Sequence, residues 1–194
     1  MSRPYTLKRR AEQQAHTRQR IVEAAVDLHS SVGPAAATIS MIADRAGVQR
    51  HTLYAHFPDE RSLLTACSGL VQDRDPPPDG SLWRDIADDR ERLSTGLRAV
   101  YDWYGRNATL LSSVLRDAEH HAPTREVAEF RFGPSLAVWH DVLGAKLTAS
   151  QRPLLVLALS FFTWRTLRQE AGLTQSAAVK AMVKAIDCPG ARSP

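Results

Sequence analysis

Arg50, His51, Thr52, Tyr54 and His56 place five hydrogen-bonding side chains in seven consecutive residues, with Leu53 among them and Phe57 directly after. On a helix, Leu53 and Phe57 stand four apart on one face and the polar side chains take the rest of the surface. Such a face suits recognition chemistry. An arginine presents a planar fork matched to guanine O6 and N7, and a threonine brings a hydroxyl and a methyl to a base or phosphate. A tyrosine or histidine can hydrogen-bond a phosphate oxygen. Catalytic chemistry lacks its residues: the chain has no GxSxG elbow, no phosphate-cradling glycine loop, no GxGxxG and no HExxH. His120 and His121 are adjacent and point in different directions on a helix, and His140 stands apart, so paired ligands at i, i+4 are missing. The sequence implies no metal and no cofactor, and no enzyme.

The elements that must hold Arg50–His56 are legible on either side. Thr38 is a capping type, and Ile39, Ile42, Ala43 and Ala46 repeat at helical spacing behind it. Gly47 supplies the positive φ that ends a helix, which leaves Val48 free to turn inward. A second short helix over Arg50–His56 buries Leu53 and Phe57; Gln49 is a weak cap for it. Pro58 ends it, and Asp59 caps a further helix through Leu63, Leu64, Cys67 and Leu70 to about Arg74. Helix, glycine turn and short polar-faced helix form the helix-turn-helix layout, whose second helix enters the DNA major groove. Ahead of it, Ile21, Val22, Ala25, Leu28 and Val32 stripe a bracing helix from about Thr17 to Ser31, ended by Gly33-Pro34.

The run Thr-Ile-x-x-Ile-Ala-x-x-Ala-Gly-Val-x-x-x-Thr-Leu-Tyr-x-His-Phe-Pro-x-x-x-x-Leu-Leu, from Thr38 to Leu64, closely resembles the DNA-binding signature of the tetracycline-repressor (TetR) family. The likeness covers roughly residues 15 to 65. A fainter one recurs from Phe162 to Leu173, similar to the last two helices of many members. The resemblance implies a basic arm and helix-turn-helix DNA-binding domain over 1–61 and a helical ligand-binding and dimerisation domain over 62–194. It implies a homodimer on double-stranded operator DNA, most simply a palindromic one, released by a small-molecule effector. Candidate DNA contacts are Arg50, His51, Thr52, Tyr54, His56 and Arg61, with Thr38, Ser40 and the arm residues Lys8, Arg9 and Arg10. Tyr54 would meet the DNA backbone, or else only pack its ring. Two departures stand out: Ser40 occupies a position that is often basic, and Glu60 one that is commonly a lysine aimed at a phosphate. They motivate an alternative, a fold relative with weak or lost DNA binding that serves as a small-molecule-binding or protein-interaction module.

Charge is unevenly spread. Up to position 20 there are six Lys/Arg against one acid, while the whole chain is only +4, so the remainder is slightly acidic. Positive charge concentrated at one end is the footprint of a phosphate-binding arm, or simply a solvated tail. Residues 1 to about 14, polar and containing Pro4, read as a mobile arm. Cys67 and Cys188 form no CxxC pair or disulfide framework, the N-terminus has no apolar signal core, and Leu154–Phe162 is too short to span a membrane. A soluble, cytoplasmic protein with no membrane partner is expected.

With 43% hydrophobic residues and no alternating β-branched stretches, an all-α fold is predicted, about nine helices in all. Asp75-Pro-Pro-Pro-Asp-Gly80 is the clearest boundary, a passive connector or a coupling element. Beyond it Ser81 caps a helix over Leu82 to about Arg106, and Asn107 caps one to about Glu119. Pro123-Thr124 opens a helix that Gly133-Pro134 must kink or divide. Thr148 or Ser150 begins an apolar helix ending at Gly172, Thr174 or Ser176 caps the last, and Pro189-Gly190 closes the fold. Aromatics with a few polar handles make ligand pockets in bundles as well as cores; Trp83, Tyr101, Tyr104, Arg116, His120, Phe130, Trp139 and His140 are the candidate pocket. The penultimate helix is apolar around more than one face, which calls for a second partner or full burial. The family's four-helix bundle would use Leu154, Leu157, Phe161, Trp164, Leu167, Val179 and Met182.

Overall fold

Side-chain caps set where the helices begin. In a computed structural model, which describes residues 3–187 with side chains from Lys8 onward, Thr38 accepts the Met41 N–H at 3.2 Å and opens α2 (Ile39–Ala46). Asp59 accepts the Ser62 N–H at 2.7 Å and opens α4 (Glu60–Arg74). Between them lies α3 (Arg50–His56), whose preceding residue Gln49 makes no capping bond. The first helix is α1 (Arg3–Ser31). After α4 come a 3₁₀ turn (Gly80–Asp85), α5 (Asp89–Arg106), α6 (Ala108–Ala118) and α7 (Ala122–Gly144). Next are α8 (Arg152–Leu159), α9 (Phe161–Arg165), a π turn (Thr166–Glu170) and α10 (Gln175–Asp187). The fold is all-α, with no strand among the described residues.

Four expectations are corrected. The segment read as a mobile arm is helical from Arg3, because the residues after Pro4 are mostly strong helix formers and a proline in the first turn forfeits no bond. Ser81 does not cap a long helix. Asp79 takes the Ser81 N–H at 2.9 Å and its hydroxyl at 2.7 Å, a 3₁₀ turn follows, and α5 starts only where Asp88 accepts the Glu91 N–H at 2.6 Å. Helix α7 runs undivided through Gly133-Pro134; burial of Val127 on one side of the proline and Trp139, Val142 and Leu143 on the other outweighs one missing backbone bond. Conversely, the apolar helix expected to continue to Gly172 breaks at Ser160, whose backbone is extended (φ −71°, ψ 130°). Cys188 and Pro189-Gly190 lie outside the described residues.

The chain forms two compact units. The first runs to Pro76 and includes Thr109–Phe130; the second holds Pro77–Ala108 and the chain from Arg131 on. The first is thus larger than residues 1–61, taking in α4, most of α6 and the start of α7. Its core joins Ile21, Val22, Ala25 and Leu28 of α1 to Ile42, Ala43 and Ala46 of α2, Leu53 of α3, Phe57 just after it, and Leu63 and Cys67 of α4. Burial pushes the Cys67 thiol up to about 12, so it is a small core side chain rather than a nucleophile.

Helix α6 is fastened to the segment between α1 and α2 within this unit. Buried Asp117 accepts the Ala35 N–H at 2.9 Å and Arg116 Nε at 2.8 Å, while Arg116 Nη2 donates to the Val32 carbonyl at 3.1 Å. Gly33 has φ +97°, and any Cβ there would collide with both Arg116 and Asp117; only glycine satisfies the turn and the close approach together. Burial raises the Asp117 carboxyl, but the bonds from Arg116 and Ala35 outweigh it and leave it below its ordinary value. Nearby, burial lowers His29 from 6.5 to about 4, against a weaker opposing pull from Asp117.

In the second unit α5 packs against α8 and α10. Trp103 meets Phe132 and Trp139 edge-on at centroid distances of 5.7 and 6.2 Å, and Trp139 Nε1 donates to the Pro78 carbonyl at 2.9 Å. The last residue of the proline run is thereby tied to α7.

His29 gives the first unit an acid limit. Between pH 6.5 and about 4 the unfolded chain binds a proton on this ring that the folded chain refuses, so stability falls as pH falls through that window, by up to about 3 kcal/mol. Thermal unfolding followed from pH 7 to pH 4.5 should show a declining Tm, and His29→Leu should remove most of the slope. A slope unchanged in His29→Leu overturns the assignment.

Candidate nucleic-acid interface

The turn that aims α3 is closed from both sides. Gly47, at φ 62° and ψ 40°, ends α2 with its N–H on the Asp44 carbonyl at 3.1 Å, and the Val48 N–H reaches Ala43 at 3.0 Å. Arg20 of α1 donates through Nη2 to the Ala46 carbonyl and, at 3.3 Å, to that of Gly47. These carbonyls end α2 and have no partner within it, so a cation there satisfies both hydrogen bonding and the helix dipole. A neighbouring α1 cation is spent in the same way: the Arg18 guanidinium lies 4.7 Å from the centroid of the Phe57 ring, a cation–π contact that covers the end of α3. Neither role has a signal in the sequence; what marks the two arginines is their place directly before the apolar stripe that opens at Ile21.

With Leu53 fully buried and Phe57 2% exposed, the rest of α3 faces out. Arg50, His51 and Tyr54 are exposed, Tyr54 by 47%, while Thr52 and His56 are half-buried. Thr52 Oγ1 lies 3.4 Å from His51 Nε2. The structure therefore brings five of the expected contact residues onto one short helix. Ser40 on α2 is half-buried, and Thr38, although exposed, has its hydroxyl engaged as the α2 cap. Lys8, Arg9 and Arg10 are exposed on α1, so their charges are carried by a helix instead of a flexible arm.

The acid at the start of α4 is occupied. His121 Nε2 lies 3.4 Å from Glu60 Oε1 and its Nδ1 lies 2.8 Å from the hydroxyl of buried Thr124. With the threonine donating to Nδ1, the Nε2–H faces the carboxylate. Arg61 sits 3.5 Å from Glu126, both largely exposed; such a pair contributes little, so Arg61 can exchange it for a phosphate.

Comparison with known proteins decides the family. Residues 21–67 match the family model described as bacterial regulatory proteins, tetR family. An uncharacterized HTH-type transcriptional regulator of Mycobacterium tuberculosis (strain CDC 1551 / Oshkosh) is 36% identical over 141 residues, covering 71% of this chain and 68% of that protein. The chain belongs to the TetR family of bacterial regulators. Solved structures agree on the fold. A TetR-like transcriptional regulator from Rhodococcus sp. RHA1 superposes with a TM-score of 0.63 at 18% identity, over 88% of this chain and 93% of that one. AibR, solved in complex with isovaleryl coenzyme A and operator DNA, gives 0.59 at 22%, over 87% and 97%. The helix-turn-helix is thus that of a TetR-family DNA-binding transcriptional regulator.

The remaining expected residues fall as follows. Trp83, Tyr101, Tyr104 and Trp139 are buried in the second unit and His140 there is half-buried; burial lowers the His140 pKa. Arg116, His120 and Phe130 belong to the first unit, where Arg116 holds Val32 and Asp117 as described. Of the expected dimer residues, Phe161, Trp164, Val179 and Met182 are buried within the chain's own fold, Leu154 and Leu167 are half-buried, and Leu157 is 50% exposed. Val156 (57% exposed) and Phe162 are exposed apolar neighbours outside that set. No helix among the described residues is long and apolar enough to cross a membrane.

Gly47→Ala tests the turn. The left-handed backbone costs a residue with a Cβ about 1–2 kcal/mol, and that Cβ would stand 2.8 Å from Arg20 Nη2. A Tm lower by roughly 2–8 °C together with weakened DNA binding is expected; a variant as stable as the parent overturns the account.

Proposed function

We propose that this chain is a ligand-responsive repressor which binds a palindromic operator as a homodimer and releases it when a small-molecule effector is bound. The observation that carries the reading is α3: its buried edge, Leu53 with Phe57, leaves Arg50, His51, Thr52, Tyr54 and His56 as an outward polar face. Arg50 would read a guanine by its fork, Thr52 a base or phosphate, and Tyr54 and His56 the backbone. Lys8, Arg9 and Arg10 add positive charge from α1, and Arg61 adds one at α4. Glu60, beside His121, keeps its negative charge, and the neighbouring Arg61 supplies the cation that offsets it.

Dimerisation is supported by Val156, Leu157 and Phe162, apolar and exposed along α8 and α9, the last of them where the fainter family likeness begins. A two-fold dimer presents two recognition helices to half-sites about 34–36 Å apart or a related spacing. AibR, captured with both operator DNA and a coenzyme A thioester, supports an effector-controlled reading for this relative. Control requires that the effector bind one conformation more tightly than the other, because a pocket alone shifts nothing.

The test uses inverted-repeat duplexes selected by the protein from a random library. Arg50→Ala should weaken binding by about 1–3 kcal/mol and relax specificity at one position, while Thr52→Ala and Tyr54→Phe each cost about 0.5–1.5 kcal/mol. Circular dichroism and sedimentation should match the parent. Leu157→Glu should yield monomers and lose the operator. Thr52→Ala and Tyr54→Phe variants that both shift the duplex as well as the parent sink this assignment of the reading surface.

A further inference from the structure

Within the second unit, Tyr101, Asp102, Gly105 and Arg106 of α5, Trp164 of α9, Arg168 of the π turn and Gln175 of α10 surround an open cleft of about 330 Å³. That volume lies at the lower end for small-molecule sites. Trp164 is 4% exposed, and its indole Nε1 is the one buried side-chain nitrogen or oxygen among the described residues with no hydrogen-bond partner. A buried donor left unpaired costs about 1–3 kcal/mol, so an acceptor arriving beside it removes a standing penalty.

The backbone around Trp164 is irregular on both sides. At Ser160 the helix breaks, and the carbonyls freed by the break are taken by tyrosines of α5: Tyr101 donates to Ala158 at 2.9 Å and Tyr104 to Leu159 at 2.6 Å. Beyond Trp164, the Ala171 N–H bonds back to Thr166 at 2.9 Å in a π turn that carries Arg168. Widened turns of this kind recur at functional sites. The charge of the cleft is specific. Arg168 donates through Nη1 to the Leu173 carbonyl, which holds its guanidinium at the rim, and Asp102 already accepts the Gln175 amide at 2.7 Å, so the charge of Arg168 stands beside an aromatic wall. Gly105 leaves that wall open: a Cβ there would stand 3.7 Å from Trp164 Cζ2, the ring carbon beside the nitrogen-bearing edge, in ordinary contact.

We propose that this cleft binds a small organic monocarboxylate, with one carboxylate oxygen accepting the Trp164 N–H, the guanidinium of Arg168 facing the charge and the hydrocarbon part lying against the indole and Tyr101. A neutral amide would forgo the charge of Arg168, and inorganic phosphate would forgo the aromatic wall. Binding stands on these residues alone; its meaning as the effector event rests on the repressor reading above.

Calorimetric titration of the full chain with benzoate and with hexanoate tests it, with benzamide, hexanamide and inorganic phosphate as controls. At least one carboxylate should saturate below about 1 mM, and the amides and phosphate should bind at least tenfold more weakly. Trp164→Phe keeps an aromatic ring and removes only the donor; it and Arg168→Gln should each weaken binding about tenfold or more. Gly105→Leu, which favours the helix and fills the cleft, should abolish binding while preserving the Tm. Failure of both carboxylates to saturate by about 10 mM, amides binding as well as acids, or an unchanged affinity in all three variants overturns the site. Carboxylate binding that obeys these variants but leaves operator affinity unchanged upholds the site and removes its role as the effector site.

Discussion

The fold of the head depends on burying Leu53 and Phe57 under a recognition helix that has no stability of its own. Seven residues are far below what an isolated helix needs in water, and Gln49 contributes no capping bond. Fully burying these two side chains is worth about 1.5–3 kcal/mol each, the largest favourable term available to so short an element. It can be collected in one register only. Turned by a third of a circle, α3 would expose Leu53 and drive an arginine or tyrosine into the core, so the constraint that makes the helix also fixes which side chains face outward.

The supporting interactions serve that orientation. Gly47 admits the backbone turn that sterics deny other residues, Arg20 neutralises the carbonyl end of α2, and Arg18 covers the Phe57 ring. The two arginines bind α1 to the turn after α2 and to the end of α3. The cations next to the core therefore hold the reading helix, and those farther along α1, Lys8, Arg9 and Arg10, stay exposed. Proximity to Ile21 separates the two groups: an arginine within a turn of the apolar stripe can reach a carbonyl of the neighbouring helix, and one three turns away cannot.

Legibility in the sequence followed the range of the interactions. Thr38, Gly47, Pro58 and Asp59 act on backbone within four residues, so the boundaries of α2, α3 and α4 could be read directly. The same holds for the stripe of α1, but the helicity of its first turns was hidden by a polar composition equally compatible with an arm. The breaks at Ser160 and Asp85 could not be read at all. Ser160 is extended because Tyr101 and Tyr104, more than fifty positions earlier, accept no competition for the carbonyls of Ala158 and Leu159, and no local pattern carries that information. The reverse error occurred at Pro134, where a local rule predicted a division that long-range burial overrides. Among the site residues, the α3 face was readable because it is local. The Trp164 cleft was not, since it is assembled from α5, the π turn and α10, and Trp164 itself read as one more apolar interface residue.

The same distinction bears on how the proposed repressor would be switched. The head is joined by close-packed apolar contacts that tolerate little sliding, since a core at crystal-like density resists continuous deformation. Its polar attachments to α6 are of another kind: the Ala35 and Arg116 bonds to Asp117, Arg116 to Val32, and Ser113 to Ser30 at 3.2 Å are directional and break over a fraction of an ångström. Coupling energies between ligand sites run to about 1–3 kcal/mol, the scale of one or two such bonds and well below the cost of opening the apolar core. An effector would therefore alter how α6 holds the segment at Gly33 long before it could unpack α3. On the proposed reading, the head moves as an intact body, with Arg50 to His56 still facing outward, and loses its operator by misplacement rather than by unfolding.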